Sequence, residues 1–416
     1  MQLMALTAFF VLFMCLQDIK AQFLGKLFGN KNDKQLFKDS TEVDHSYYER
    51  PDWKAIDIDF LSSYYTQDGN NSPVTGGIGT EQLTDFTQKI ILSIPTSPKL
   101  TLKLDGGYDY YSSASTDNID NLQSGESGAD MRIHGNVGLR YKLNESERIG
   151  FRIGGSGEYD YASVNVGLDY SWLSKNKNTG FSLSGQAFID RWDLIYPKEL
   201  RGEVSAPTDL RKSFNGSIGF SQVLNKRMQL SIQAEGVYMT GLLSTPFHRV
   251  FFANENQARI EKLPSSRMKI PIGLRLNAHI TDWLVTRMYY RYYWDDWGIQ
   301  GHTVSLEVPI KLNRFLSIAP HVRYHQQSAS KYFKGYKAHD SAADFYTSDY
   351  DLSGLSSISY GLGISYSPVN GLARVKLPFK NRPAFVVKSI ELKYSHFDRS
   401  NGLSADVISL GLKFSF

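Results

Sequence analysis

From residue 55 to the final Phe416, apolar side chains recur at every second position for ten or more residues at a time, and the pattern restarts after each turn. A period of two belongs to the β-strand, whose successive side chains leave opposite faces. Runs of about twelve residues are twice the usual soluble strand and match a strand that crosses a bilayer at a tilt. The last run is the clearest. Ile408, Leu410, Leu412, Phe414 and Phe416 alternate with Val407, Ser409, Gly411, Lys413 and Ser415. The same alternation runs through Ile56-Ile58-Phe60, Leu100-Leu102-Leu104, Ile133-Val137-Leu139-Tyr141 and Val164-Val166-Leu168-Tyr170. It returns in Ile272-Leu274-Leu276, Val304-Leu306-Val308-Ile310-Leu312 and Ile358-Tyr360-Leu362-Ile364-Tyr366. About sixteen such strands are expected, an even number that suits an all-β, antiparallel up-and-down transmembrane barrel.

A helical route across a membrane is excluded: no stretch after residue 20 approaches the roughly 18 consecutive apolar residues of a spanning helix. Leu3 to Leu16 is an uncharged apolar run too short to span. The Ile19-Lys20-Ala21 that follows reads as the end of a signal peptide, residues 1–21, with cleavage after Ala21. No basic residue precedes the run. Cys15, the one cysteine, follows Met14 rather than a small residue, so it belongs to the discarded signal and the mature chain has no thiol chemistry. Residues 22–54 form a periplasmic N-terminal segment, with Lys26, Lys31, Lys34 and Lys38 as a solvated cluster, and 55–416 form the barrel. With 46 basic and 42 acidic residues the charge is nearly balanced, which argues against a nucleic-acid partner.

Connections alternate in length. Thr96-Ser97, Asn144-Glu145-Ser146, Lys175 to Asn178, Asn225-Lys226, Thr281-Asp282 and Asn313-Arg314 read as tight turns, against long stretches at 112–130, 191–212, 241–266 and 327–353. Outer-membrane barrels place short turns in the periplasm, so both termini are expected there. Residues 368–385 break the rule as a long connection on the short-turn side, read as an elongated turn. Tyr108, Tyr110, Tyr290, Tyr292 and Trp294 fall at the outer end of the apolar rows, and Tyr170, Trp172, Tyr366 and Phe416 at the periplasmic end. Two interfacial girdles account for them without a ligand.

If the apolar rows meet lipid, the opposite rows line a lumen, and they carry Arg140, Arg152, Arg275, Arg287, Arg291 and Arg323 with Asp169, Glu235 and Glu307, and His134, His279, His321 and His325. Such a wall is either a selective, hydrated pathway or an interior braced by Arg–carboxylate pairs. The outer ends concentrate acidic and aromatic residues, among them Asp117, Glu158, Asp160, Tyr161, Asp295, Asp296, Trp297 and His302. No spacing among them matches a known metal-ligand motif, so metal binding stays open and no cofactor is expected. Catalytic motifs are absent. His302 and Ser305, the pair closest to a barrel-borne lipid hydrolase, differ in parity and point to opposite faces. An enzyme is not expected.

The run Tyr290-Arg-Tyr-Tyr-Trp-Asp-Asp-Trp-Gly-Ile-Gln-Gly-His302 resembles the hallmark of an uncharacterised bacterial outer-membrane family, domain-of-unknown-function family 3570. Tyr111 to Ser115, Glu158 to Tyr161, Gln222 to Arg227, Pro246 to Val250, Pro264 to Arg267, Pro320 to Tyr324 and Gln327 to Ala329 are similar to it as well, in order. The resemblance implies an outer-membrane barrel and leaves its activity undefined. The terminal strand ending in Phe416 resembles the signal read by barrel-assembly machineries, which with outer-membrane lipid are the expected partners. Two functions follow: a channel or receptor-like barrel for a small solute, with the acidic-aromatic loops as its selective surface, or a non-conducting barrel that anchors a lipoprotein or another envelope partner.

Overall fold

The structure, a computed structural model, describes residues 55–113, 128–201, 207–375 and 385–416; the expected signal peptide and N-terminal segment lie outside them. Sixteen long strands follow one another: β1 (Asp57–Asp68), β2 (Leu83–Pro95), β3 (Leu100–Ser113), β4 (Gly128–Lys142), β5 (Glu147–Gly157), β6 (Tyr161–Leu173), β7 (Thr179–Asp193) and β8 (Thr208–Asn225), then β9 (Met228–Gly241), β10 (Ser266–His279), β11 (Val285–Asp295), β12 (Gln300–Glu307), β13 (Leu316–Gln327), β14 (Leu355–Tyr366), β15 (Phe385–Arg399) and β16 (Ser404–Ser415). Each pairs antiparallel with the next, and β1 pairs with β16 from Asp57↔Ser415 to Asp68↔Ser404. The sheet is a closed barrel with no free edge, which is what strands in lipid require.

Residues paired across strands share a face, so the register tests the parity read from the sequence. One continuous row holds Ile58, Leu92, Leu104, Val137, Ile153 and Val166. Ile58 and Leu92 are buried, but Val137, Ile153 and Val166 are uncovered, as are Ile133, Leu168 and Val304 on the same face, at 56%, 59% and 54% exposure. An apolar belt of this extent is unstable in water and belongs in hydrocarbon. Tyr290, Tyr292 and Trp294 share that face near the long-loop end, and Tyr170, Trp172 and Tyr366 near the short-turn end. The charged rows take the other face. Lys393 on β15 lies 3.9 Å from Glu307 on β12, three strands away, a reach that closes only on the concave side.

Two local features depart from the sequence reading. The alternation through Val304 to Leu312 is not one unbroken strand: β12 stops at Glu307 and resumes only as Ile310–Lys311, because Pro309 has no N–H to give the ladder. Connections at the long-loop end are also not uniformly long, since 158–160, 296–299 and 400–403 are tight. In the elongated connection before β15, Ala373–Val375 folds back onto β15; residues 376–384 lie outside the described chain.

Candidate functional site

All ten lumen candidates fall on the concave face, and the register distributes them unevenly. Arg275 on β10, Arg287 and Arg291 on β11 and Arg323 on β13 share one wall, with Glu307, His321 and His325. The opposite wall carries Asp85 on β2 and Asp105 and Asp109 on β3, eight strands or half the circumference away. These aspartates have partners: Asp105 meets Lys89 at 3.4 Å and Asn136 at 2.9 Å, and Asp109 meets Thr87 at 2.9 Å and His134 at 3.8 Å.

The arginines are only partly braced. Arg287 pairs with Glu307 at 2.6 Å and Arg140 with Asp169 at 3.3 Å. Arg275 and Arg291 lie over the rings of Tyr289 and Tyr293, at 5.4 and 6.0 Å from their centroids. Among the described residues, Arg152, Arg275, Arg291, Arg323 and Glu235 form no ion pair or hydrogen bond. The histidines are held: His321 Nε2 is 2.9 Å from the Ser395 hydroxyl, and His325 lies 2.8 Å from the Thr303 hydroxyl and 3.2 Å from Gln327 Oε1. The bore is therefore polar, and among the described residues Arg275, Arg287, Arg291 and Arg323 of one wall are met by a single carboxylate, Glu307.

Glycines on the inner rows make these contacts feasible. Arg140 on β4 and Asp169 on β6 meet across β5 because Gly150 stands between them, where a Cβ would collide with the Asp169 carboxylate. Gly361 lies beneath His321 and Gly273 beneath Tyr289 in the same way.

The long-loop end is crossed by a clasp. Arg249, in the β9–β10 loop, donates to the carbonyl of Val74 in the β1–β2 loop at 2.7 Å, although those loops rise from opposite sides of the barrel. The same guanidinium holds Glu199 of the β7–β8 loop at 2.5 and 3.0 Å. The β13–β14 loop locks in through Ser348, whose hydroxyl donates to the Arg249 carbonyl at 2.6 Å. Gly76 adopts a φ of +84° against the Phe251 ring, where only glycine fits. Val250 and Phe252 are fully buried against Tyr346. Glu261 is the polar centre: it accepts from the Thr245 amide at 2.7 Å and the Thr347 hydroxyl at 2.5 Å, and lies 3.2 Å from His248 Nδ1.

Burial makes this clasp sensitive to protons. It pushes the Glu81 carboxyl up to about 7, with Asp351 adding to the rise and Arg399 opposing it. The Asp349 carboxyl is raised for the same reason, with Asp351 again contributing. Burial alone would lower His248, but the adjacent Glu261 outweighs it and the imidazole is raised.

The outer-loop candidates separate. Asp295 and Trp297, expected on an exposed recognition surface, are buried instead. The Asp295 carboxylate takes Arg267 at 2.5 Å, the Tyr293 hydroxyl and the Ile299 amide, while Trp297 donates to the Ser266 carbonyl beneath the Arg267 guanidinium. Asp296 accepts from the Met268 amide. His302 is on the outward face, 2.8 Å from the Tyr290 hydroxyl, rather than in a loop. Tyr161 packs on Trp192 and donates to Asp190. Glu158 accepts from Tyr111 at 2.7 Å and, with Asp130 and Asp160, places three carboxylates within 4.8 Å of one another. Burial and these neighbours push Asp160 up to about 6. Asp117 lies outside the described residues.

A closed sheet with an apolar outer face and a polar, charged bore defines a transmembrane β-barrel of the bacterial outer-membrane type. The chain belongs to the family described as protein of unknown function (DUF3570), whose profile matches residues 72–377. No curated protein matches the sequence. Among solved structures it is similar to a bacterial polysaccharide outer membrane secretin, at 10% identity and TM-score 0.46 over 88% of this chain and 98% of that one. It is similar to the siderophore receptor PirA from Pseudomonas aeruginosa, at 10% identity and TM-score 0.43 over 86% and 80%. It is also similar to OccK1 (OpdK) from the same organism, at 7% and 0.39 over 87% and 98%.

Proposed function

We propose that this protein is an outer-membrane barrel that passes or captures small anionic solutes, with short turns and both chain ends in the periplasm and the clasp outside. The observation that carries this reading is the set of guanidinium groups, Arg152, Arg275, Arg291 and Arg323, that face the bore without a carboxylate partner. A bracing role calls for pairs; unpaired, solvated cations on a curved wall create a field that concentrates anions. The clasp then acts as a selective cover. Proteoliposome swelling tests this with solutes of similar size and different charge. Gluconate should enter faster than sorbitol, and sorbitol faster than N-methylglucamine; equal rates for the anion and the cation would contradict it.

The second reading, a non-conducting barrel that holds a lipoprotein or another envelope partner, draws on one observation, the clasp that joins loops from opposite walls. In that case none of the three solutes would enter.

A further inference from the structure

Beneath the clasp, against the arginine wall, lies a cavity of about 280 Å³. Its sides come from β13, β14 and β15 and its roof from Asp351 in the β13–β14 loop. The polar groups around it are mostly committed. Arg399 holds Asp351 at 2.6 Å and the Tyr350 carbonyl at 3.0 Å, so that acid and base neutralise each other. Gln327 donates from its amide nitrogen to the carbonyls of Asp351 and Ser353, both at 2.9 Å, which leaves its oxygen to accept from His325 Nε2. His325 Nδ1 lies 2.8 Å from the Thr303 hydroxyl, so both ring nitrogens have partners.

One charge in the cavity is left over. Arg323 faces Ser359 across the β13–β14 pair, with Ser357 one position along the inner row, and its guanidinium has no hydrogen-bond or ion-pair partner among the described residues. Phe397 pairs with Ser359 from the other side, in the same cross-strand row as Arg323, and the buried Leu355 continues the Ser359–Ser357 row along β14. A fork of N–H donors beside hydroxyls, flanked on the same concave face by apolar side chains, is the complement of a carboxylate carried on a compact apolar body.

We infer that this cavity binds a small monocarboxylate whose carboxylate sits on Arg323 and whose apolar body rests on Phe397 and Leu355. The inference rests on the anionic-solute reading and names the class of solute that the bore handles. The Asp351–Arg399 pair and the Gln327 amide tie the β13–β14 loop to the wall beside the cavity.

The test is calorimetric titration of benzoate into the full-length protein in nanodiscs. Arg323→Gln should weaken binding about tenfold or more, the loss of one charge-assisted fork. Phe397→Ala should weaken it several-fold, Lys175→Gln, in the short β6–β7 turn far from the cavity, should leave it unchanged, and acetate should bind far more weakly than benzoate. Folding of each variant is verified by its heat-modifiable electrophoretic mobility. Equal benzoate affinity in correctly folded Arg323→Gln, or no binding by the native protein, overturns the site. The two readings fail separately: anion-selective swelling without benzoate binding removes the site and keeps the pathway, and benzoate binding without anion preference removes the pathway and keeps the site.

Discussion

Arg249 donates a 2.7 Å hydrogen bond to the carbonyl of Val74 although the loops carrying them rise from strands eight positions apart in a sixteen-stranded barrel. A contact between opposite rims exists only if both loops fold in over the mouth. It joins four loops at one residue, since the buried Arg249 guanidinium holds Val74 and Glu199 and its backbone carbonyl accepts from Ser348.

Arg249→Gln should therefore loosen the mouth and leave the barrel intact. Loss of the charge-assisted bonds to Glu199 and Val74 is expected to lower the clasp's opening free energy by about 2 kcal/mol. Hydrogen exchange reads this directly: amides in residues 69–82 and 242–265 should exchange faster while those of β5 to β8 do not change. Unaltered loop exchange would mean that the clasp is held elsewhere.

The clasp should also respond to pH. Glu81 and Asp349 have raised pKa values when the loops are closed and return to ordinary carboxylate values when the loops open to water, so the closed form binds more protons. His248, raised by Glu261, acts with the same sign. Closure is thus strongest in acid and weakens as pH rises through about 7, the value for Glu81. Open probability in a planar bilayer should be higher at pH 8 than at pH 5.5, and Glu81→Gln should reduce the difference. A higher open probability in acid would rule out this proton linkage.

Asp295 is fully buried and, among the described residues, is the sole carboxylate on Arg267, itself only 13% exposed. Asp295→Ala leaves an uncompensated buried guanidinium and strips partners from Tyr293 and the Ile299 amide, a loss of about 3–5 kcal/mol. The unfolding temperature seen by heat-modifiable mobility should fall well below that of the native barrel, with Asp295→Asn falling less.

Gly150→Val forces a side chain into the Asp169 carboxylate and separates it from Arg140, an overpacking cost of about 1–3 kcal/mol. Gly216→Val meets nothing within 4 Å and should be tolerated. Comparing urea midpoints for refolding into lipid distinguishes a glycine required by its neighbours from one that is merely small.

The barrel could be read from the sequence because its code is local. A period of two, restarted at Asn144-Glu145-Ser146 or Thr281-Asp282, decides which side chains face lipid, and a closed sheet keeps that parity all the way round, so Arg275, Arg291 and Arg323 were placed inward without a structure. The interruption at Pro309 lay within an alternation that looked continuous, since parity takes no account of a missing N–H. The clasp left no such trace. Arg249 and Val74 are 175 positions apart with no periodicity to connect them, and Phe252 is buried by Tyr346 from a different loop. Asp295 and Trp297 looked like exposed recognition residues because the partner that buries them, Arg267, lies 28 residues before Asp295. The inner glycines were visible as small residues, but the side chains that cross them were not.

The most direct measurement of the arginine wall is the reversal potential of single channels under a tenfold potassium chloride gradient, for the native protein and for the double variant Arg275→Glu, Arg291→Glu. An anion pathway requires a native reversal potential of the sign set by chloride and a shift toward that of potassium in the variant. A native channel that prefers potassium, or a double variant with unchanged selectivity, would show that the unpaired guanidinium groups do not govern what crosses the bore.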